Sequence, residues 1–225
     1  MATLGRDPER ERRAAGRSCG ACSLCCTLLR VDELDKRAGA DCIHQRPAFA
    51  SALVDVATRG PADSPDDLPG DSPEHAVGCG IYETRPPICR GYRCLWLQGG
   101  LEDDERPDRT GGLVDLEPTG LGVRLAIRES RRGIFDDSPA LQSIAERYRE
   151  QMPVRISDAE DVSNPDRPFR VLLADGLEHR VQGERVEIRR HGVVVGNRRL
   201  PWAERWARRL LNGWRARGLA RGTPP

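Results

Sequence analysis

Short segments in which apolar and polar residues alternate follow one another through the second half of the chain. Residues 112–117 and 121–127 alternate in this way on either side of Pro118-Thr119-Gly120, which predicts a β-hairpin. Further strands are predicted at 154–157, 169–174, 180–181, 186–189 and 193–195. Asp-Gly, Gln-Gly and His-Gly pairs that begin at positions 175, 182 and 191 predict the turns between the last strands.

Two segments of this half have the helical period instead. Residues 139–152 predict an amphipathic helix that begins after the capping residue Ser138 and has Pro139 in its first turn. Its apolar face comprises Leu141, Ile144, Ala145, Tyr148 and Met152. Residues 201–217 predict a final helix, and we expect its stripe of large residues to face the core. The stripe comprises Trp202, Trp206, Leu210 and Trp214.

The first half of the chain is organised differently. Residues 1–17 are dense in Arg and Glu and predict a disordered arm, whereas residues 18–110 contain every cysteine and predict a cysteine-cluster metal-binding domain. Within that domain, residues 45–78 predict a flexible loop, because Pro, Gly, Asp and Ser dominate after a short helical segment at 48–57. Residues 111–218 form the predicted α+β region, and residues 219–225 form a disordered tail. The expected fold class is α+β, in which a small metal-stapled unit packs with a short-stranded antiparallel sheet and two helices.

The composition restricts the size of the core and the class of partner. Only 38% of residues are hydrophobic and 4% are aromatic, and the charged residues, 32% of the chain, nearly cancel to a net charge of +1. This balance gives no general attraction to nucleic acid or to a membrane, and the arginines near the C-terminal strands fit a solvated surface better than a nucleic-acid-binding face. No apolar run has the length of a membrane span, and residues 1–17 do not resemble a secretion signal. We therefore expect a cytoplasmic protein whose thiols stay reduced.

Four of the eight cysteines lie in the run Cys19-Gly-Ala-Cys22-Ser-Leu-Cys25-Cys26. The C-x2-C-x2-C spacing is typical of ligands to a [4Fe–4S] cluster. Zinc also accepts four thiolates, although a zinc knuckle needs only C-x2-C. Because adjacent cysteines project in different directions, Cys25 and Cys26 indicate two centres or one polynuclear centre. The remaining ligands are expected from the other four cysteines, with His44 in reserve: Cys42, Cys79, Cys89 and Cys94.

The cysteines also lie in a longer pattern. It combines Cys19-x2-Cys22-x2-Cys25-Cys26 and Cys42-Ile-His44 with the run Cys79-Gly-Ile-Tyr82-Glu-Thr-Arg85-Pro86-Pro-Ile-Cys89-Arg90-Gly-Tyr92-Arg-Cys94. Over residues 18–110 this pattern resembles the YkgJ-type CxxCxxCC family, whose members are described as zinc- or iron-chelating domains and are often labelled iron–sulfur oxidoreductases. A flagellin-lysine methylase carries a similar cysteine domain. The resemblance implies that all eight cysteines are metal ligands, with Tyr82, Arg85, Pro86 and Arg90 as companions.

The companion residues suit the charge of such a centre. Several thiolates on one metal leave excess negative charge, which Arg85 and Arg90 can offset, while Tyr82 and Trp96 can exclude water. The expected function is binding of zinc or iron, with a [4Fe–4S] cluster as one form. The alternatives are an iron–sulfur enzyme of redox or methyl-transfer chemistry and a zinc-organised module that binds protein or nucleic acid. Neither a GxGxxG sequence nor a P-loop is present, so no catalytic residue is assigned.

Overall fold

The computed structural model describes residues 8–19, 22–45, 78–120, 122–159, 167–204, 206–207 and 210. Short helices occupy the described part of the first half. They are α1 (Pro8–Ala14), α2 (Leu24–Leu28), a 3-10 helix (Asp32–Leu34), α3 (Pro87–Gly91), a second 3-10 helix (Asp103–Glu105) and α4 (Pro107–Thr110). Of the predicted loop at 45–78, residues 46–77, with the helical segment at 48–57, lie outside the described residues, and so does the tail at 219–225.

A seven-stranded sheet forms the second half, with its strands in sequence order. The strands are β1 (Gly112–Thr119), β2 (Gly122–Glu129), β3 (Val154–Asp158), β4 (Phe169–Leu172), β5 (Leu177–Gln182), β6 (Arg185–Arg190) and β7 (Val193–Arg199). Helices α5 (Ile134–Asp137) and α6 (Pro139–Arg149) lie between β2 and β3 in the chain. The fold is thus a mixed α/β fold with a mostly antiparallel sheet.

The predicted hairpin and the turns near 175, 182 and 191 are confirmed, but Pro118 and Thr119 are paired residues of β1 and not part of the hairpin turn. Strands β1 and β2 pair antiparallel from Gly112 opposite Glu129 to Thr119 opposite Gly122. Asp175 and His191 have positive φ angles of 56° and 49°, which suits the tight turns that join twisted antiparallel strands. Gly176 follows the first of these, and a Cβ at this position would lie 2.3 Å from the His191 ring. Only glycine therefore fits where these two turns meet.

One strand pair departs from the antiparallel prediction. Strands β2 and β3 pair parallel, with Leu125 opposite Val154, because the chain crosses over through α5 and α6 before it returns to the sheet. Helix α6 begins as predicted, since the Ser138 side chain accepts a hydrogen bond from the Leu141 backbone N–H. It ends at Arg149 rather than at Met152.

The main hydrophobic core joins the cysteine-rich segment to the sheet. Leu28 of α2 and Leu95, which follows Cys94, are buried in the same cluster as strand and helix residues such as Ile127 and Ile144. A smaller cluster lies under the last strands and contains Val181, Val186 and Leu200. The cysteine-rich segment is therefore packed directly against the first strands of the sheet.

Residues 8–14 are helical where the sequence predicts a disordered arm. The Arg10 and Arg13 side chains donate hydrogen bonds to the backbone carbonyls of Gln98 and Gly99, at 2.9 and 3.1 Å. Arg17 donates to the carbonyl of Trp96 at 2.7 Å. The prediction was wrong for these residues because charge density alone does not reveal that arginines dock on carbonyls distant in sequence.

The prediction that the C-terminal stripe of large residues faces the core is also wrong for the described residues. Residues 202–204, 206–207 and 210 are helical, as predicted, and the rest of the segment 201–217, including Trp214, lies outside the described residues. Trp202 and Trp206 are 73% and 62% exposed, so they are not core residues. Within the described part of the chain, no helix is both long and apolar enough to cross a bilayer.

Candidate metal site

All eight cysteines line one cavity of about 310 Å³. They reach it from separate places in the fold. Cys19 and Cys22 precede α2, Cys25 and Cys26 lie on it, and Cys89 lies on α3. Cys94 is the one buried cysteine, and the other seven are half-buried. None of the eight is in a disulfide.

Two consecutive turns arrange the first four thiols. The Cys22 backbone N–H donates to the Cys19 carbonyl at 2.8 Å, and the Cys26 N–H donates to the Ser23 carbonyl at 2.8 Å. Leu28, which is 1% exposed, fixes α2 in the core. The C-x2-C-x2-C spacing therefore folds as a tight turn that continues into a short helix with one buried anchor.

A small bridge brings the next thiols to the same cavity. Gln45 pairs with Cys79 in an isolated antiparallel β-bridge, and the Gly80 N–H donates to the His44 carbonyl at 2.7 Å. The Gln45 side-chain amide donates to Ser23 at 3.0 Å. The segments that carry Cys42 and Cys79 are therefore joined to each other and to the start of α2, across the sequence gap between them.

The last two thiols are placed by α3 and β1. Pro86 and Pro87 hold an extended approach and the first turn of α3, which carries Cys89. The Leu95 N–H donates to the Val114 carbonyl at 2.9 Å, which attaches the backbone next to Cys94 to strand β1. Cys94 is 6% exposed and belongs to the main core.

The pKa values of the adjacent cysteines Cys25 and Cys26 are shifted in opposite directions. The Cys25 thiol donates a hydrogen bond to the Cys26 sulfur, and this bond together with burial raises the pKa of Cys25 far above its ordinary value. The same bond, helped by the charges of Lys36 and Arg85 against the effect of burial, lowers the pKa of Cys26 to about 7. Burial raises the pKa of both Cys22 and Cys94 to about 11. Of the two adjacent thiols, Cys26 is therefore the one that ionises more easily.

Three of the four predicted companion residues line the cavity, namely Tyr82, Arg85 and Pro86. The Arg85 guanidinium stacks on the Tyr82 ring, 3.8 Å from its centroid. Burial raises the pKa of Cys19, and the hydrogen bond and charge of Arg85 oppose that effect. Arg90 is on α3 and is not among the cavity-lining residues of the described chain. Trp96 lines the cavity and is 8% exposed.

Sequence reasoning missed Lys36. It lines the cavity and is 6% exposed. Its ammonium group donates to the backbone carbonyls of Thr27, Leu29 and Arg37 at 2.9, 2.5 and 3.0 Å. The cation therefore fixes the turn that leaves α2 and lies near Cys26. One signal was available, because Lys36 is the only lysine in a chain with 36 basic residues.

A buried acidic group on β1 was also missed. The Asp115 carboxylate accepts a hydrogen bond from the Tyr92 hydroxyl at 2.5 Å and another from Arg128 at 2.8 Å. All three residues line the cavity. Burial, together with the neighbouring Asp115 charge, raises the pKa of Tyr92. The signal was the acidic residue at a buried position between Val114 and Leu116.

Two buried N–H donors at the cavity have no hydrogen-bond partner. They are Arg85 Nε and Trp96 Nε1. Buried donors are nearly always paired, so two such groups at one cavity are consistent with an anionic group inside it. Among the described residues, however, no three His, Cys, Asp or Glu side chains converge closely enough to hold a metal ion. The thiols surround the cavity instead of meeting at a point.

Comparison with known proteins identifies no relative. The chain matches no known family profile, no curated protein and no solved structure.

Proposed function

We propose that this protein binds zinc or iron, with a [4Fe–4S] cluster as one form, through the thiolates of its eight cysteines. The observation that supports the proposal is that cysteines from both halves of the predicted pattern line the same cavity. Soft thiolate ligands prefer zinc and iron–sulfur centres to harder cations. The proposal agrees with what the resemblance to the YkgJ-type family implies and with a reducing, cytoplasmic location.

The cavity suits an anionic thiolate centre. Four thiolates on a divalent ion carry a formal charge of −2, which nearby cations and N–H donors can stabilise. Arg85 donates a hydrogen bond to Cys19, and the charges of Lys36 and Arg85 both act on Cys26, so two cations lie close to the thiols. The unpaired donors of Arg85 and Trp96 would gain sulfur acceptors in such a centre.

The proposal requires the cavity to contract when metal binds. Because the thiols surround a space of about 310 Å³ without converging, the segments that carry them must move inward around the bound metal. Each thiol that becomes a ligand releases its proton, so metal affinity rises with pH. The bound metal would then join α2, α3 and the segment at 42–45. These parts would form the metal-stapled unit that the sequence predicts.

The proposal is tested by purifying the full chain without oxygen and measuring zinc, iron and acid-labile sulfide per chain. Brown protein with iron and sulfide in equal amounts would identify a cluster, and colourless protein with stoichiometric zinc would identify zinc sites. Bound metal should also protect the cysteines from alkylation.

A matched pair of variants makes this test specific. Cys22→Ser should lose metal, whereas Ser18→Ala, at an exposed position next to Cys19, should retain it. The proposal fails if wild-type protein contains neither metal after growth with either one and all eight thiols remain reactive.

A further inference from the structure

The eight thiols lie at two depths in the cavity. Cys94 is part of the main core, and Cys19 and Cys25 pack against that core. Cys22 is joined to Cys19 by the turn that precedes α2, and the charges of Cys22 and Cys19 both reach the Cys94 thiol. Cys19, Cys25 and Cys94 therefore lie at the core, and Cys22, which is not in that cluster of the described residues, is grouped with them by this turn and by its effect on Cys94.

We call the other four thiols the outer set. Cys26, Cys42, Cys79 and Cys89, like Cys22, are not in the main core cluster of the described residues and do not pack against it, so the outer set is defined by its own contacts. The Cys89 thiol is influenced by the charges of Cys26, Cys42 and Cys79, which are therefore its near neighbours. The bridge between Gln45 and Cys79 holds the outer segments together.

The division between the two depths falls within α2. Adjacent residues of a helix project about 100° apart, because a turn contains about 3.6 residues. Cys25 packs against the core, whereas Cys26 lies where the charges of Lys36 and Arg85 reach it. Two neighbouring residues therefore supply one thiol to each set.

We propose that the protein contains two separate four-thiol metal sites rather than one eight-thiol cluster. The inner site comprises Cys19, Cys22, Cys25 and Cys94. The outer site comprises Cys26, Cys42, Cys79 and Cys89. The assignment depends on the proposed function, because it divides the ligands of that same cavity. Each site has the ligand number and ligand type of a tetrahedral soft-metal site.

Arg85 lies close to both sets. It donates a hydrogen bond to Cys19 of the inner site, and the charges of Cys19 and of Cys79 of the outer site both act to raise its pKa. The charges of Cys26 and Cys79 also reach Cys19, so the two sets are near each other at this point. One guanidinium can thus reduce the repulsion between two anionic centres without joining them. Lys36 adds positive charge near the outer set, since Cys42 and Cys26 have the largest effects among the neighbouring groups that oppose the lowering of its pKa by burial.

Cobalt binding to metal-free, reduced full chain tests the division. Co²⁺ is the probe, since it replaces zinc in thiolate sites and gives intense absorption only in tetrahedral sulfur coordination. Wild-type protein should bind two equivalents. Cys94→Ala should lose half of the bound cobalt, and so should Cys89→Ala.

Two double variants distinguish two separate sites from one shared cluster. Cys22→Ala with Cys94→Ala removes two inner ligands and should still lose only half of the cobalt. Cys94→Ala with Cys89→Ala removes one ligand from each site and should lose all of it. If either single variant loses all of the cobalt, or if both doubles behave alike, the assignment is wrong. Ser18→Ala is the control that should keep both equivalents, and far-UV circular dichroism confirms folding of every variant.

Wild-type protein provides a second measurement that needs no variant. The Co²⁺ electron paramagnetic resonance signal should grow in proportion to loading up to two equivalents if the sites are separate. A signal that declines at high loading would show thiolate-bridged ions and overturn the division. Absence of thiolate–cobalt absorption at any loading would instead refute the proposed function itself.

Discussion

Replacing Lys36 with methionine tests whether a single buried cation holds the turn after α2. The substitution keeps an unbranched apolar stem of similar length and removes only the ammonium group. Three backbone carbonyls, those of Thr27, Leu29 and Arg37, then lose their hydrogen-bond donor. Since the site is 6% exposed, water can replace the donor only after the turn opens.

The size of the effect follows from these contacts. One hydrogen bond to a charged group contributes about 1.5 kcal/mol at the lower end of the measured range. Three such bonds together contribute about 4.5 kcal/mol, and the cost of burying the ammonium offsets part of this sum. We therefore expect Lys36→Met to lower the free energy of unfolding by about 3 kcal/mol. At a urea m-value of about 2 kcal/mol/M, this loss moves the midpoint by about 1.5 M.

The assay is urea unfolding of metal-free, reduced protein followed by far-UV circular dichroism. Lys36→Arg should recover part of the loss, because it restores the charge but its planar fork cannot reproduce three donors on a single nitrogen. Arg37→Met changes an exposed neighbour and should shift the free energy by less than about 0.5 kcal/mol. A Lys36→Met midpoint equal to that of Arg37→Met would refute the structural role of the ammonium group.

Three further outcomes are expected. Arg85→Gln should weaken metal retention by at least about 10-fold in a competition with a chelator, whereas Arg90→Gln should have little effect. Equal losses of metal in the two variants would contradict the placement of Arg85 at the cavity. In the metal-free protein, the rate at which iodoacetamide labels Cys26, followed by mass spectrometry, should reach half its limiting value near pH 7. The reason is that the lowered pKa of Cys26, about 7, makes the thiolate the main form above that pH. A midpoint above about 8.5 would contradict the assigned cause of the lowered pKa. Tyr92→Phe should lower the melting temperature by an amount equivalent to about 1 kcal/mol through the bond lost to Asp115, and an unchanged melting temperature would show that the bond is unimportant.

Local rules in the sequence predicted the elements whose determinants are themselves local. The hairpin of β1 and β2, the turns at Asp175 and His191, and the start of α6 after Ser138 each depend on a few neighbouring residues. The alternation of residues did not reveal that β2 and β3 run parallel, because strand direction depends on the crossover between them. The spacing of Trp202 and Trp206 indicated a helix but not whether another surface covers it.

The candidate site shows the same limit. The cysteine pattern named the thiols that line the cavity, since ligand spacing is a property of the sequence. The roles of Lys36 and Asp115 depend on carbonyls and side chains brought together by folding, so no spacing rule predicted them. The docking of Arg17 on the Trp96 carbonyl has the same origin. Whether the thiols hold metal stays a prediction.

The unequal division of the sheet between two hydrophobic clusters affects how the protein opens. Strands β5 to β7 are supported by a small cluster of buried side chains, those of Val181, Val186 and Leu200, whereas the strands nearest the cavity share the main core. Backbone amides of the outer strands should therefore exchange with solvent through local opening, and those of β2 and β3 only through global unfolding. Strands β5 to β7 can open locally, or change in sequence, while the strands that pack against the cysteine-rich segment keep their structure.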